Sequence, residues 1–153
     1  MTDTSPYWTR IVLPALLRHA RTTYGSAMRR ALAEAGCDDV PRNGLYVIGA
    51  LAMDETPLAN VIRELGMTKQ AAGQLVDTLV LRGYLDRAID ENDRRRLVVG
   101  LTERGRAAAA AQAAARERID AALIARIGEE KVMHGREMLG TLIDMAHEES
   151  PSE

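Results

Sequence analysis

Apolar residues recur at intervals of three and four along most of the chain, the spacing that places them on one face of an α-helix. The pattern predicts a long first helix over residues 13–35, ended by Gly36. It predicts a second helix that reaches Met53 and holds Pro41 in its first turn, where a proline is tolerated. The N-terminal part of the chain is therefore expected to be helical.

Two short helices joined by a tight turn are predicted next. The first covers residues 58–65 and ends at Gly66, which suits the left-handed conformation that closes a helix. Thr68 is placed to cap the second helix, and Gly83 to end it. The second helix has an apolar and a polar side, formed by Ala71, Ala72, Leu75, Val76, Leu79 and Val80 and by Lys69, Gln70, Gly73, Gln74 and Asp77. This spacing predicts a helix-turn-helix.

The pattern becomes extended after the helix-turn-helix. Apolar residues in segments 84–89 and 97–101 predict two strands, and the charged segment 90–96 predicts the loop between them. Thr102 then begins an alanine-rich helix that runs to about Ile127, and a last amphipathic helix follows after a glycine. The expected fold class is mainly α with a small β-hairpin.

Composition narrows the classes of function. The longest uncharged segment, Asn43–Met53, has eleven residues, well short of the roughly 20 apolar residues that cross a bilayer. The N-terminus lacks the basic and apolar segments of a secretory signal, so we expect a cytoplasmic protein that contacts no membrane. A single cysteine, Cys37, and the scattered His19, His134 and His147 argue against disulfides, a metal site or a metal cofactor.

Charge is distributed unevenly, although the net charge is only −2. Residues 63–106 contain nine Lys/Arg against seven Asp/Glu, whereas residues 129–153 contain two against seven. Because the middle segment is basic and the C-terminal segment acidic, the negative net charge does not exclude a nucleic-acid partner.

The polar side of the second helix carries side chains that read DNA. Amide side chains form bidentate contacts with adenine, and lysine reaches guanine or phosphate, when they lie at the N-terminal end of a helix in the major groove. The candidates are Thr68, Lys69, Gln70, Gly73 and Gln74. Gly73 leaves space for a close approach of backbone to DNA, at a cost to the helix of about 1 kcal/mol relative to alanine. An amphipathic helix with a solvated polar face is the alternative.

The hairpin loop strengthens the DNA interpretation. Arg94, Arg95 and Arg96 follow acidic residues in this loop, and Asp93 is placed to orient Arg95 by a charge-assisted hydrogen bond. A narrow minor groove attracts arginine through its negative potential. We interpret Arg95 as a minor-groove or phosphate contact; a solvated run of charges is the alternative. The hairpin and the helix pair together favour DNA binding.

Five sequence blocks resemble the winged-helix core of the MarR-type transcriptional regulators. They are LeuGlyMetThrLys from Leu65, LeuValAspThrLeu from Leu75, ArgGlyTyrLeuAspArg from Arg82, AspGluAsnAspArgArgArg from Asp90 and LeuThrGluArgGly from Leu101. The resemblance implies an obligate homodimer, in which the first and last two helices intertwine and each subunit presents one winged helix-turn-helix to a pseudo-palindromic operator. The family's Asp-x-Arg in the wing falls on Asp93 and Arg95. Ala71 and Gly73 depart from the small hydroxyl residues that often occupy their positions in the family.

The resemblance also implies three regions and an effector. The regions are an N-terminal dimerisation helix (1–40), a DNA-binding lobe (41–106) and C-terminal dimerisation helices (107–153). A small aromatic or amphipathic ligand is expected in a crevice between the dimerisation helices and the DNA-binding lobe. Its candidate lining residues are His19, Tyr24, Met28 and Tyr46, and plain core packing is the alternative for them. Oxidation-sensing members use an N-terminal cysteine, which would be Cys37; an inert buried cysteine is the alternative.

The function predicted from these observations is a dimeric DNA-binding repressor that responds to a ligand. The competing hypothesis is a winged helix that docks proteins without specific DNA binding, since one fold hosts several functions. An enzyme is not expected, because no arrangement of His, Cys and Asp at useful spacing is visible.

Overall fold

The computed structural model describes residues 6–53, 58–89 and 97–149. The element order is a 3₁₀ turn Tyr7–Arg10, α1 Leu13–Glu34, α2 Gly44–Met53, α3 Leu58–Glu64, α4 Lys69–Leu81, β1 Leu85–Ile89, β2 Leu97–Leu101, α5 Glu103–Ile127 and α6 Glu129–Glu149. The predicted fold class, mainly helical with one small hairpin, is confirmed.

One boundary differs from its prediction. Pro41 does not lie in the first turn of α2, which begins three residues later at Gly44. The N–H of Gly44 donates to the Pro41 carbonyl at 2.8 Å, so the proline belongs to a turn that leads into the helix. A proline fits both the first turn of a helix and the turn before one, so its position did not reveal the later start of the helix.

Three helices end in the same way. After α1, α3 and α4, a glycine with positive φ places its own N–H and the next N–H on carbonyls of the last helical turn. At Gly66, for example, φ is 63°, and its N–H and that of Met67 donate to Arg63 and Ile62. This pattern satisfies carbonyls that would otherwise have no partner, and it turns the chain sharply without strain because glycine has no Cβ.

The contacts between residues divide the chain into two compact units, and the boundary along the sequence lies between Arg116 and Glu117. The first unit contains the hydrophobic core, to which α1, α2, α4, β1 and the first half of α5 contribute buried side chains. Its most completely buried large side chains are Tyr84, Leu45, Ile48, Leu79, Leu85, Gln112 and Val47. The strands β1 and β2 are antiparallel and pair Leu85 with Leu101 and Ile89 with Leu97.

The second unit consists of the end of α5 and all of α6. None of its described side chains is buried. Its exposed large apolar side chains are Leu123, Ile124, Ile127, Met133, Met138, Leu139, Leu142, Ile143 and Met145. An ion pair between Asp120 and Arg136, with 3.9 Å between the charged atoms, spans the two helices. A surface this apolar is unusual for a unit that stays in water alone.

Candidate nucleic-acid interface

The helices α3 and α4 form the predicted helix-turn-helix, with Gly66 and Met67 in the turn. Thr68 accepts a hydrogen bond from the N–H of Ala71 at 3.1 Å through its side-chain hydroxyl, which makes it the N-cap of α4. Asn43, just before α2, donates to the sulfur of Met67 at 3.8 Å. The start of α4 is therefore held both by its own cap and by a contact with the turn that precedes α2.

Replacing Thr68 by alanine is expected to destabilise the protein by about 1 kcal/mol, because one N–H of the first turn loses its partner. Thr68→Ser keeps the hydroxyl and should restore most of the loss. Urea unfolding followed by circular dichroism measures both variants. Equal stability of Thr68→Ala and the unmodified protein would contradict the capping role.

The two sides of α4 differ as the sequence predicted. Ala72, Leu75, Val76 and Leu79 are buried in the core, while Ala71 and Val80 are half-buried. The polar candidates at its N-terminal end are all exposed: Thr68, Lys69, Gln70, Gly73 and Gln74. No atom lies within 4 Å of the point that a Cβ on Gly73 would occupy. The packing of the buried side thus holds a row of hydrogen-bonding groups outward from the lobe.

The hairpin is attached to α4 by an ion pair. Arg87, near the middle of β1, bonds the carboxylate of Asp77 on the exposed side of α4. The candidate wing residues Asp93, Arg94, Arg95 and Arg96 lie outside the described residues. The structure thus places the base of the hairpin beside α4.

A polar network that the sequence did not predict joins four parts of the lobe. The hydroxyl of buried Tyr84 donates to the carboxylate of Asp39, in the loop after α1. Arg104, at the start of α5, bonds the same carboxylate at 3.0 Å and stacks over the Tyr84 ring at 4.3 Å. Arg82, at the end of α4, donates to the Asp39 carbonyl oxygen. The network connects the end of α4 to the loop after α1, to the start of β1 and to α5.

The network shifts two pKa values in opposite directions. Burial, followed by the hydrogen bond to Asp39, raises the pKa of Tyr84 far above its usual range. The hydrogen bond from Tyr84, assisted by the charge of Arg104, lowers the pKa of Asp39. Near neutral pH the tyrosine is a proton donor and the aspartate an anion, which is the pairing that this hydrogen bond requires.

The candidate ligand and redox residues lie in different surroundings. Tyr46 lines an open pocket between α1 and α2. Met28 is buried in the core, Tyr24 packs half-buried against it, and His19 is exposed; none of these three lines the pocket. Cys37 is a buried free thiol beside Tyr84, and its assignment as an oxidation sensor stays a prediction.

Comparison with protein families identifies the lobe. Residues 38–96 match the model of the MarR family, a segment that runs from the loop before α2 through β1 to Arg96. This segment is similar to a MarR-family winged helix-turn-helix, which confirms the resemblance inferred from the five blocks. Proteins of that family are transcription regulators, not enzymes. Among curated proteins, none matches the chain.

Several solved structures share this fold over most of the chain. A probable transcriptional regulator from Pseudomonas aeruginosa is 25% identical, with a TM-score of 0.61, and the alignment covers 85% of this chain and 96% of that one. The transcriptional regulator PA4135 is 24% identical, with a TM-score of 0.65 over 88% and 98% of the two chains. MepR of S. aureus, solved as a DNA complex, is 18% identical, with a TM-score of 0.67 over 89% and 99%.

The described helices do not resemble membrane spans. In segments 6–53, 58–89 and 97–149, no helix combines the length and the apolarity that crossing a bilayer requires.

Proposed function

We propose that this chain is a homodimeric repressor that binds pseudo-palindromic operators in double-stranded DNA through α4 and the wing, and that a small ligand modulates its affinity. The observation that carries the proposal is the N-terminal end of α4. It presents Lys69, Gln70 and Gln74 outward on a helix that is capped at Thr68 and anchored by a buried apolar side. The DNA complex of MepR, which shares this fold, supports the same use of the lobe.

Each exposed group on α4 has a role suited to its chemistry. Gln70 and Gln74 would read base edges in the major groove, since carboxamides form paired hydrogen bonds with adenine. Lys69 would contact guanine or phosphate, and Thr68 would donate to a phosphate while it caps the helix. Gly73, with open space around it, would allow the helix to approach the DNA backbone closely.

The wing would supply a second contact. In this proposal Arg95 enters the minor groove or meets a phosphate, Asp93 orients it, and Arg94 and Arg96 add positive charge beside it. The ion pair between Asp77 and Arg87 supports the geometry, because it fixes the base of the hairpin to the recognition helix. The helix α4 and the wing would then approach the DNA together.

The dimer would form through the helices that flank the lobe. The exposed apolar side chains of the second unit support this, because a matching surface on another copy would remove them from water. Two lobes related by a two-fold axis would meet successive major grooves, about 34 Å apart on one side of B-DNA. The division into an N-terminal helix (1–40), a DNA-binding lobe (41–106) and C-terminal helices (107–153) belongs to this proposal.

The test is duplex selection from a random pool, followed by affinity measurements at several salt concentrations. Gln70→Ala or Gln74→Ala is expected to relax base preference by about 1–3 kcal/mol at the contacted position. Arg95→Ala should instead weaken binding to every sequence and reduce the slope of log affinity against log salt by about one.

Lys131→Ala removes one exposed positive charge from α6, which is not one of the proposed contact elements, and serves as the control. It should leave both base preference and affinity unchanged. If the unmodified protein binds no duplex even at low salt, where phosphate contacts are strongest, the proposal is refuted in favour of a protein-docking winged helix.

A further inference from the structure

A cavity of about 450 Å³ lies between α1, the start of α2 and the end of α3. We name it the arginine pocket, because four of the nine described residues that line it are arginines. These residues are Arg18, Arg21, Thr22, Gly25, Arg29, Arg42, Asn43, Tyr46 and Leu65. None of these nine is an aspartate or a glutamate.

The four guanidinium groups have no acidic partner among the side chains that the structure describes. Each of them carries a positive charge. The ion pairs of Arg87, Arg104 and Arg136 involve none of the four arginines of the pocket. All four arginines are exposed, so water and salt screen their mutual repulsion, but their combined positive charge still favours an anion over a cation or a neutral molecule in the pocket.

The neutral residues of the pocket give it shape. The guanidinium of Arg21 stacks on the Tyr46 ring at 4.9 Å, which restricts the directions of its N–H groups. A Cβ on Gly25 would lie 3.6 Å from both the Tyr46 hydroxyl and an Arg29 nitrogen, so the glycine leaves room beside these two groups. Tyr46 and Leu65 add apolar surface that a small organic molecule can cover.

We propose that the arginine pocket binds a small organic anion with at least two negative charges, carried by carboxylates or phosphates, and that this anion is the effector of the regulator. Planar guanidinium forks match both groups with paired hydrogen bonds. The regulatory half of the proposal rests on the proposed function. Because the arginines surround a concave space bordered by Tyr46 and Leu65, the pocket fits a small molecule better than a duplex backbone.

The pocket has a direct connection to the recognition helix. Asn43 lines the pocket and also donates to the sulfur of Met67, the residue immediately before the N-cap Thr68. Leu65, at the end of α3, also lines the pocket and lies in the same turn as Met67, between α3 and α4. An anion that draws Arg42 and Asn43 toward α1 therefore alters the support of the turn that positions α4, and duplex affinity falls.

Isothermal titration of the full-length protein in low-chloride buffer tests the binding half without DNA. Citrate and inorganic pyrophosphate are the two polyanion probes, and benzoate is the monoanion control. We expect one polyanion to bind per chain, with an affinity that falls roughly tenfold in Arg18→Gln and in Arg29→Gln, as for the loss of a hydrogen bond to a charged group. Tighter binding of citrate assigns the site to carboxylates, and tighter binding of pyrophosphate assigns it to phosphates.

Arg30→Gln is the matched control, because Arg30 is exposed on the same helix as Arg29 but does not line the pocket. It should titrate like the unmodified protein. Equal polyanion affinity in all variants, or benzoate binding as tight as that of the polyanions, overturns the proposed ligand class. Weaker duplex binding by Arg18→Gln and Arg29→Gln without any anion also overturns it, since the arginines would then contact DNA.

The regulatory half is measured on a selected duplex. The better polyanion should raise the dissociation constant of the unmodified protein for DNA at least tenfold, and that of Arg29→Gln much less. An unchanged dissociation constant overturns the effector role even if the anion binds. Failure of the unmodified protein to bind any duplex refutes the proposed function instead, and the titration result stands by itself.

Discussion

Gly105→Ala should destabilise the winged-helix lobe by about 3 kcal/mol, the upper end of the usual cost of overpacking. Gly105 is buried in the first turn of α5, and a Cβ there would overlap the carbonyl oxygen of Tyr84. That carbonyl cannot move freely, since it accepts hydrogen bonds from the N–H of Thr102 and from the Thr102 hydroxyl, both at 3.1 Å. The substitution must therefore push α5 away from β1 or break these bonds.

Gly73→Ala is the matched control for this experiment. Gly73 is also a helical glycine, but it is exposed and has nothing within 4 Å of an added Cβ. Its replacement should stabilise the protein by up to about 1 kcal/mol, the difference in helix propensity. Urea unfolding at one fixed protein concentration compares the variants, because the proposed dimerisation would couple stability to concentration. A Gly105→Ala variant as stable as the unmodified protein would refute the close approach of α5 to Tyr84.

Charges placed on the apolar surface of α6 should abolish both the dimer and tight DNA binding. Leu139 and Leu142 are partly exposed, three residues apart, and so share one side of the helix. In the double variant Leu139→Glu with Leu142→Glu, two carboxylates per subunit would be buried without partners, at a cost that exceeds the gain from association. A single lobe would then bind a half-site, and operator affinity should fall roughly 10²–10⁴-fold with the loss of bivalent contact.

Sedimentation velocity measures the oligomeric state, and titration of a selected operator measures affinity. Thr141→Glu adds a carboxylate to the same helix at an exposed polar position and should change neither quantity. Were the double variant to sediment as a dimer and bind the operator normally, this surface would not form the interface.

The features that the sequence predicted well depend on neighbours a few residues away. The cap at Thr68, the glycine turns at Gly66 and Gly83 and the two sides of α4 follow from local hydrogen bonding and a 3.6-residue period, and the structure confirms them. The late start of α2 escaped prediction because a proline is compatible both with the first turn of a helix and with a turn that precedes one.

The exposed side of α4 was equally predictable from the sequence, because the polar side of a helix faces outward when its opposite side is buried. Its contacts with DNA stay a prediction. For the ligand residues the sequence was less informative. Aromatic and methionine residues at helical spacing pointed to Tyr46 and Met28 alike, and only packing placed Tyr46 in the arginine pocket and Met28 in the core.

The sequence by itself determined the order of the helices, the hairpin, the cap and outward side of the recognition helix and the resemblance to MarR-type regulators, because all of these are encoded in short segments. Only the tertiary structure decided which distant residues meet. Tyr84 and Asp39 are 45 positions apart, and Arg104 and Asp39 are 65 apart. The arginine pocket likewise takes its charge from α1 and from the turn that precedes α2. Such contacts depend on how whole elements pack, and no local pattern of residues specifies that packing.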